Sequence, residues 1–218
     1  MIMNDLIVTK IESQNHKKDD FDYFSKMVDD KTENAINTIN WSVYSYTPEV
    51  SFKMAYNDNF LFLKYKVKEN YVMAKVTQDN GPVWTDSCVE FFITPDDNGY
   101  YNFEFNAIGT CLLEYGKSRF ERRRPGDNII RKIIRIPSMG FHPFAEKEGN
   151  FEWELFVAIP VDTFFCHAIK NFCVMELRGN FHKCGDKLSH PHFLTWNKIE
   201  TVTPDYHRPE FFGNIKLQ

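Results

Sequence analysis

Pro82-Val83-Trp84-Thr85-Asp86-Ser87-Cys88-Val89-Glu90-Phe91-Phe92-Ile93-Thr94-Pro95 is the stretch whose reading decides the fold. From Cys88 to Thr94 alternate side chains share a face, so Val89, Phe91 and Ile93 fall together and Glu90 and Phe92 fall opposite. The apolar set is read as core, which turns Glu90 outward. A turn of Pro95-Asp96-Asp97-Asn98-Gly99 then leads into Tyr101, Phe103 and Phe105, which alternate with Asn102, Glu104 and Asn106. Two strands divided in the same way form an antiparallel hairpin over one core. Ile93 then faces Tyr101 or Phe103, and Glu90 lies opposite Glu104 or Asn106.

The outer face of this hairpin is expected to carry two carboxylates and two carboxamides close to the indole of Trp84. Carboxylates and amides offer directed acceptors and donors to sugar hydroxyls, and flat aromatic rings pack on the C–H faces of a pyranose. The plain alternative is the polar outer face of any two-sided sheet.

Outward from the hairpin, the chain reads as strand after strand. Strands are expected at 50–57 and 60–68, joined at Asn57-Asp58-Asn59, and at 71–77, 110–116, 129–136, 151–159, 172–179 and 211–217. In 151–159, Phe151, Trp153, Leu155, Val157 and Ile159 share one side, so Trp153 is read as core. Residues 13–18 read as a polar loop and 29–40 as turn-like. A short helix over 20–28 has Asp19 or Asp20 as its cap, and a helical turn follows Pro160. Short strands at regular spacing indicate an all-β antiparallel sandwich with one or two short helical segments, residues 1–218 forming one domain.

Composition agrees. The 218 residues are 43% hydrophobic and include 21 Phe, enough for a sizeable core. A net charge of −4 argues against a nucleic-acid partner, and Arg122-Arg123-Arg124 reads as part of a solvated loop. No apolar run approaches the roughly 20 residues of a membrane span. The start, Met1-Ile2-Met3-Asn4-Asp5, lacks the marks of a secretory signal, and five scattered cysteines fit reduced thiols. Both features point to the cytoplasm for the sequence as written; a different true start would allow an extracytoplasmic site.

Trp84-Thr85-Asp86-Ser87-Cys88-Val89-Glu90-Phe91-Phe92-Ile93 resembles the motif of the family 9 carbohydrate-binding modules. Arg178-Gly179-Asn180-Phe181-His182-Lys183-Cys184-Gly185-Asp186 resembles stand-alone bacterial members, and further matches lie at His192-Phe193-Leu194-Thr195-Trp196-Asn197 and at 204–213. The resemblance spans nearly the whole chain. It implies a jelly-roll sandwich that binds glycans in polysaccharide utilisation without cleaving them. A sugar is held between two tryptophans, with an acid six residues after the first. Those positions are Trp84 and Glu90, with Trp196 as candidate for the second indole or else a core residue. Asn102, Glu104 and Asn106 would orient the ligand, and the family's arginine falls to Arg178 or Arg119. The resemblance allows a structural calcium, for which Asp86, Asp96 and Asp97 supply suitable oxygens; otherwise no cofactor is expected.

Other readings compete. Glu90 and Glu104 could serve a glycoside hydrolase as paired carboxylates, although no feature of the sequence supplies the desolvated pocket that a general acid needs. Cys166, His167, Cys173, His182, Cys184, His190 and His192 are zinc-type ligands without a standard zinc spacing. Cys184 and His182 lie in a loop-like stretch with no orienting acid for nucleophilic catalysis. A scaffold protein on the same fold, without a sugar site, is the remaining alternative.

Overall fold

A computed structural model describes residues 3–12 and 19–218; the polar loop expected at 13–18 lies outside the described residues. In chain order these form strands β1 (Leu6–Val8), β2 (Asn34–Ala35), β3 (Thr38–Ile39), β4 (Glu49–Tyr56), β5 (Phe60–Ala74), β6 (Cys88–Thr94), β7 (Tyr100–Asn106), β8 (Cys111–Gly116), β9 (Ile134–Pro137), β10 (Phe144–Pro160), β11 (Glu176–Cys184), β12 (Phe193–Thr195) and β13 (Gly213–Leu217), with helices α1 (Phe21–Asp29) and α2 (Asp127–Ile130). One sheet runs β1-β13-β11-β6-β7-β8, with β12 pairing to β11 and β3. The second runs β2-β4-β5-β10-β9. All pairings are antiparallel except β1 with β13. The protein is therefore a β-sandwich.

The face assigned to the core by alternation is the core. Val89, Phe91, Ile93, Tyr101, Phe103 and Phe105 meet Phe52, Leu63, Tyr65, Trp153, Leu155 and Val157 of the second sheet. Phe181 stacks between the sheets, 3.6 Å from the Phe52 ring centroid and 4.5 Å from that of Phe91. Register follows the pattern as well, with Ile93 opposite Tyr101 and Glu90 opposite Glu104. Helix α1 starts at Asp20, whose carboxylate accepts the Tyr23 N–H at 3.0 Å. It lays Phe24 and Val28 on the outer face of the second sheet, where Phe24 stacks on Phe62 at 4.7 Å.

Three local expectations change. The strands expected at 60–68 and 71–77 are one, β5, because the polar break at Lys68-Glu69-Asn70 is no turn. Glu69 is buried there, accepting from Trp153 Nε1 at 2.7 Å and pairing with Lys183 Nζ at 2.9 Å. The strand expected at 129–136 is a helical turn followed by β9: Ile130 and Ile133, three apart, are buried on one side of the turn. The segment Asn180–Cys184, read as loop-like, is the C-terminal half of β11. Both of its faces are covered, so no alternation of polar and apolar residues marks it.

The largest difference concerns the outer face of β6 and β7. Every residue of both strands is buried. A second apolar layer closes over this face, formed by Trp41, Val83, Ile199, Tyr206 and Phe212 with Trp84 and Phe193 half-buried at its edge. Glu90 and Glu104 point away from the sandwich core as expected, yet keep only 2% and 4% of their exposure.

Candidate functional site

Register sets out the covered face as a grid. Across β11, β6 and β7, one row reads His182, Glu90, Glu104; the row below reads Cys184, Cys88, Asn106; the row above reads Asn180, Phe92, Asn102. Where the second layer leaves a gap above Glu90 and Glu104, a cleft of about 180 Å³ opens. Glu90, Glu104 and Cys184 form its floor, Trp84, Phe193 and Tyr206 its aromatic wall, and Arg119, Asp186 and Asp205 further parts of its lining.

Distant segments build the wall. A 3₁₀ turn at Val83–Thr85 presents Trp84. The carbonyl of Trp84 accepts the Asp186 N–H at 3.1 Å, which ties the turn to the chain just beyond β11. Tyr206 donates from Oη to the Lys183 carbonyl at 2.9 Å and lies flat on His182, with centroids 4.1 Å apart and planes at 4°. Tyr100 Oη is hydrogen-bonded to His207 Nδ1 (2.9 Å), and this imidazole is neutral because burial, together with Arg122, Arg119 and Arg208, pushes its pKa down to about 3.

The floor is electrostatically unusual. Burial pushes the Glu104 carboxyl up to about 8, and burial with the neighbouring Glu104 charge drives Glu90 well above 4.5. Glu104 Oε1 accepts from Asn102 Nδ2 at 2.9 Å, and Asn102 Oδ1 in turn accepts from Arg122 Nη2. Glu90 Oε1 lies 3.1 Å from Cys184 Sγ. The second oxygen of each carboxyl is buried without a hydrogen-bond partner. Such an atom costs about 1–3 kcal/mol unless a ligand or water satisfies it.

Of the expected site residues, Trp84, Glu90 and Glu104 meet in the cleft. Asn102 stands behind them and orients Glu104. Asn106 has a structural role: Nδ2 donates to Val76 O (2.8 Å) and Asp86 Oδ2 (2.9 Å), while Oδ1 accepts the Thr110 N–H (2.9 Å). Trp196 is a core residue, 5% exposed and edge-on to Phe52 and Phe181. Arg178 lies outside the cleft, two residues before Asn180 on β11, where it pairs with Asp97 at 2.8 Å. Arg119 is the arginine that reaches the cleft.

Sequence reasoning missed Tyr206, His207 and Arg122. Arg122 is no solvated residue: its side chain is 4% exposed, sits over the Tyr100 ring at 4.3 Å and donates to the Tyr100 carbonyl at 3.1 Å. Arg123 and Arg124 stay outside, Arg124 paired with Glu114 at 2.8 Å. The proposed calcium carboxylates do not converge. Asp86 and Asp96 flank opposite ends of β6, about 20 Å apart, and Asp86 Oδ2 accepts the backbone N–H groups of Lys75 and Val76, both at 2.9 Å. Three of the zinc-type residues have other partners: Cys173 lies by Asp58 (3.0 Å), His167 by Tyr101 (2.7 Å) and His192 by Lys183 (2.8 Å).

Comparison with known proteins fits this architecture. The model of carbohydrate-binding family 9 matches residues 24–217. A crystal structure from Bacteroides uniformis, of a protein whose proposed role is carbohydrate binding, is 37% identical with a TM-score of 0.92, covering 98% of this chain and 99% of that one. Two structures of a family 9 module from Caldicellulosiruptor kristjanssonii are each 14% identical over 99% of this chain. The cellotriose complex (TM-score 0.56, 94% of that chain) and the glucose complex (TM-score 0.55, 96% of that chain) share the fold. No curated protein matches the chain.

Proposed function

The chain belongs to carbohydrate-binding family 9, and we propose that it holds a saccharide in the Trp84 cleft without cleaving it, as a binding protein in polysaccharide use. The observation that carries this reading is the pairing of an aromatic wall with carboxyl oxygens at the floor that lack partners. A pyranose placed against Trp84 offers its C–H face to the indole and its hydroxyls to Glu90 and Glu104. A protonated carboxyl both donates and accepts, so the raised pKa values suit hydroxyl recognition. The half-buried ring of Trp84 and the buried ring of Tyr206 take the place of a pair involving Trp196, whose indole the sandwich core encloses. The Caldicellulosiruptor modules, which were crystallised with glucose and cellotriose, indicate which sugars to try first.

The floor favours binding over hydrolysis. A glycosidase needs one carboxyl held neutral as acid while its partner stays ionised. Here both carboxyls sit on neighbouring strands of one face and are pushed the same way.

The test is tryptophan fluorescence and calorimetry during titration with glucose, cellobiose, xylose and xylobiose. Saturable binding by the wild-type protein, lost in Trp84→Ala and weakened at least tenfold in Glu90→Gln, is expected. Because Trp84 is half-buried against the second layer, its removal also lowers stability modestly, and folding is checked by circular dichroism. A folded wild-type protein that binds none of these sugars, or a Trp84→Ala variant that binds as well as wild type, would refute the reading.

A further inference from the structure

Beside the sugar-facing carboxyls lies a pair of thiols that the cleft chemistry leaves unused. Cys88 and Cys184 are direct cross-strand partners on β6 and β11, and both project from the covered face. Glu90 is two residues along from Cys88 on the same face. The two Sγ atoms and a Glu90 carboxyl oxygen all lie within 4.8 Å of one another, and Cys184 Sγ is 3.1 Å from Glu90 Oε1. All three side chains are buried. Opposite Glu90, His182 holds Nδ1 3.3 Å from Glu90 Oε2, and neither ring nitrogen has a hydrogen-bond partner. Burial keeps this imidazole neutral, which is its metal-ligating form.

We infer that Cys88, Cys184 and Glu90, with His182 beside them, form a binding site for a thiophilic divalent cation of the zinc class. In a tetrahedral zinc site with thiolate bonds of about 2.3 Å, sulfur atoms stand about 3.8 Å apart and sulfur–oxygen pairs slightly closer. The three side chains hold their ligand atoms within 4.8 Å of one another, so rotamer adjustments on strands that stay in place bring them onto one ion. Two thiolates with a carboxylate and an imidazole suit zinc over calcium or magnesium, which take oxygen. The unpartnered Glu90 and His182 atoms give the second, independent sign of a missing ligand. Without a cation the thiols stay protonated: burial lifts Cys88 to about 12 and Cys184 well above 9.0. On binding, the cation replaces the two thiol protons, and the Glu90 proton where that is bound, so about two to three protons are released per ion.

The remaining cysteines do not join the cluster. Cys111 is buried on β8, Cys166 is half-buried beyond the Val161–Thr163 turn and Cys173 is exposed. This separation makes the assignment testable without any sugar. The reduced, metal-free chain is titrated with Co(II), then with Zn(II), while thiolate-to-cobalt charge-transfer absorption, bound metal and proton release are followed. One ion per chain with proton release is expected, unchanged in a Cys166→Ser/Cys173→Ser double variant and lost in Cys184→Ser. Glu90→Gln is expected to weaken it at least tenfold. Absence of thiolate–cobalt absorption in the folded wild-type protein overturns the inference. So does loss of binding in the Cys166→Ser/Cys173→Ser variant, or undiminished binding in Cys184→Ser. If Cys184→Ser fails to fold, wild-type stoichiometry with the double variant still decides.

Discussion

Glu104→Gln should stabilise the protein at neutral pH and destabilise it slightly in acid. The amide keeps the shape of the side chain and retains an Oε1 to accept from Asn102 Nδ2. It removes the ionisation that burial opposes. Glu104 titrates near 4.5 when unfolded, and in the folded protein burial chiefly, with Glu114 and Asp186 adding to it against Asn102 and Arg122, lifts it to about 8. Between these values the native state holds a proton that the unfolded state has lost, so native stability falls as pH rises through that window. At pH 7 the gap of about 2.5 pH units corresponds to about 3 kcal/mol, and below pH 4.5 to almost nothing. An unpaired amide N–H in place of the carboxyl OH takes back about 1 kcal/mol. The net gain at pH 7 is then about 2 kcal/mol, or roughly 4–8 °C in Tm for a chain of this size. Urea denaturation of wild type and variant at pH 4, 5.5, 7 and 8 measures it. A difference that stays flat with pH would show that Glu104 is ionised throughout, held by Arg122, and the case for a neutral floor would fail.

Further predictions follow from the same contacts. Lys183→Met strands the buried Glu69 carboxylate beside Trp153 and His192, costing about 3–5 kcal/mol; chemical denaturation should show most of this recovered when Glu69→Gln is added. Trp196→Ala empties a core position against Phe52 and Phe181 and should cost about 3–5 kcal/mol, a loss that the same denaturation series detects. In the metal-free native protein a thiol reagent should modify Cys173 and, more slowly, Cys166. Cys88, Cys111 and Cys184 should react only on unfolding, since all three are buried.

What could be read from the chain was what alternation controls. Val89, Phe91 and Ile93 against Tyr101, Phe103 and Phe105 fixed both the core face and the Glu90–Glu104 register, because a slip of one residue would turn all six outward. Alternation is silent on what lies over the other face. Glu90, Asn102, Glu104 and Asn106 look alike whether water or a distant segment covers them. The cover comes from Tyr206 and Phe212, more than a hundred residues later, and from Trp41, some fifty residues earlier. The same blindness hid the second half of β11, since a strand covered on both faces and carrying Asn180, His182 and Lys183 shows no period at all. It also made Arg122 look like a solvated residue and left Arg178 and Arg119 undecided.

The cover changes the chemistry as well as the exposure. In water, two glutamates facing each other across strands would ionise and repel. Beneath Tyr206 and Phe212 desolvation pushes both carboxyls toward the protonated form, in which they can share a face and offer hydroxyl-like donors. The register that sets Glu90 opposite Glu104 also sets Cys88 opposite Cys184 and His182 opposite Glu90. Sugar-facing carboxyls and the thiol pair are thus neighbouring rows of one grid, joined at Glu90. A cation held by Glu90 and the two sulfurs would fix that carboxylate and withdraw its proton, so cation occupancy and sugar affinity must be linked, each altering the other by the same factor. Measuring glucose or cellobiose affinity with and without one equivalent of Zn(II) gives that factor. Equal affinities would mean that the sugar relies on Glu104 and Trp84 and makes no energetic use of Glu90.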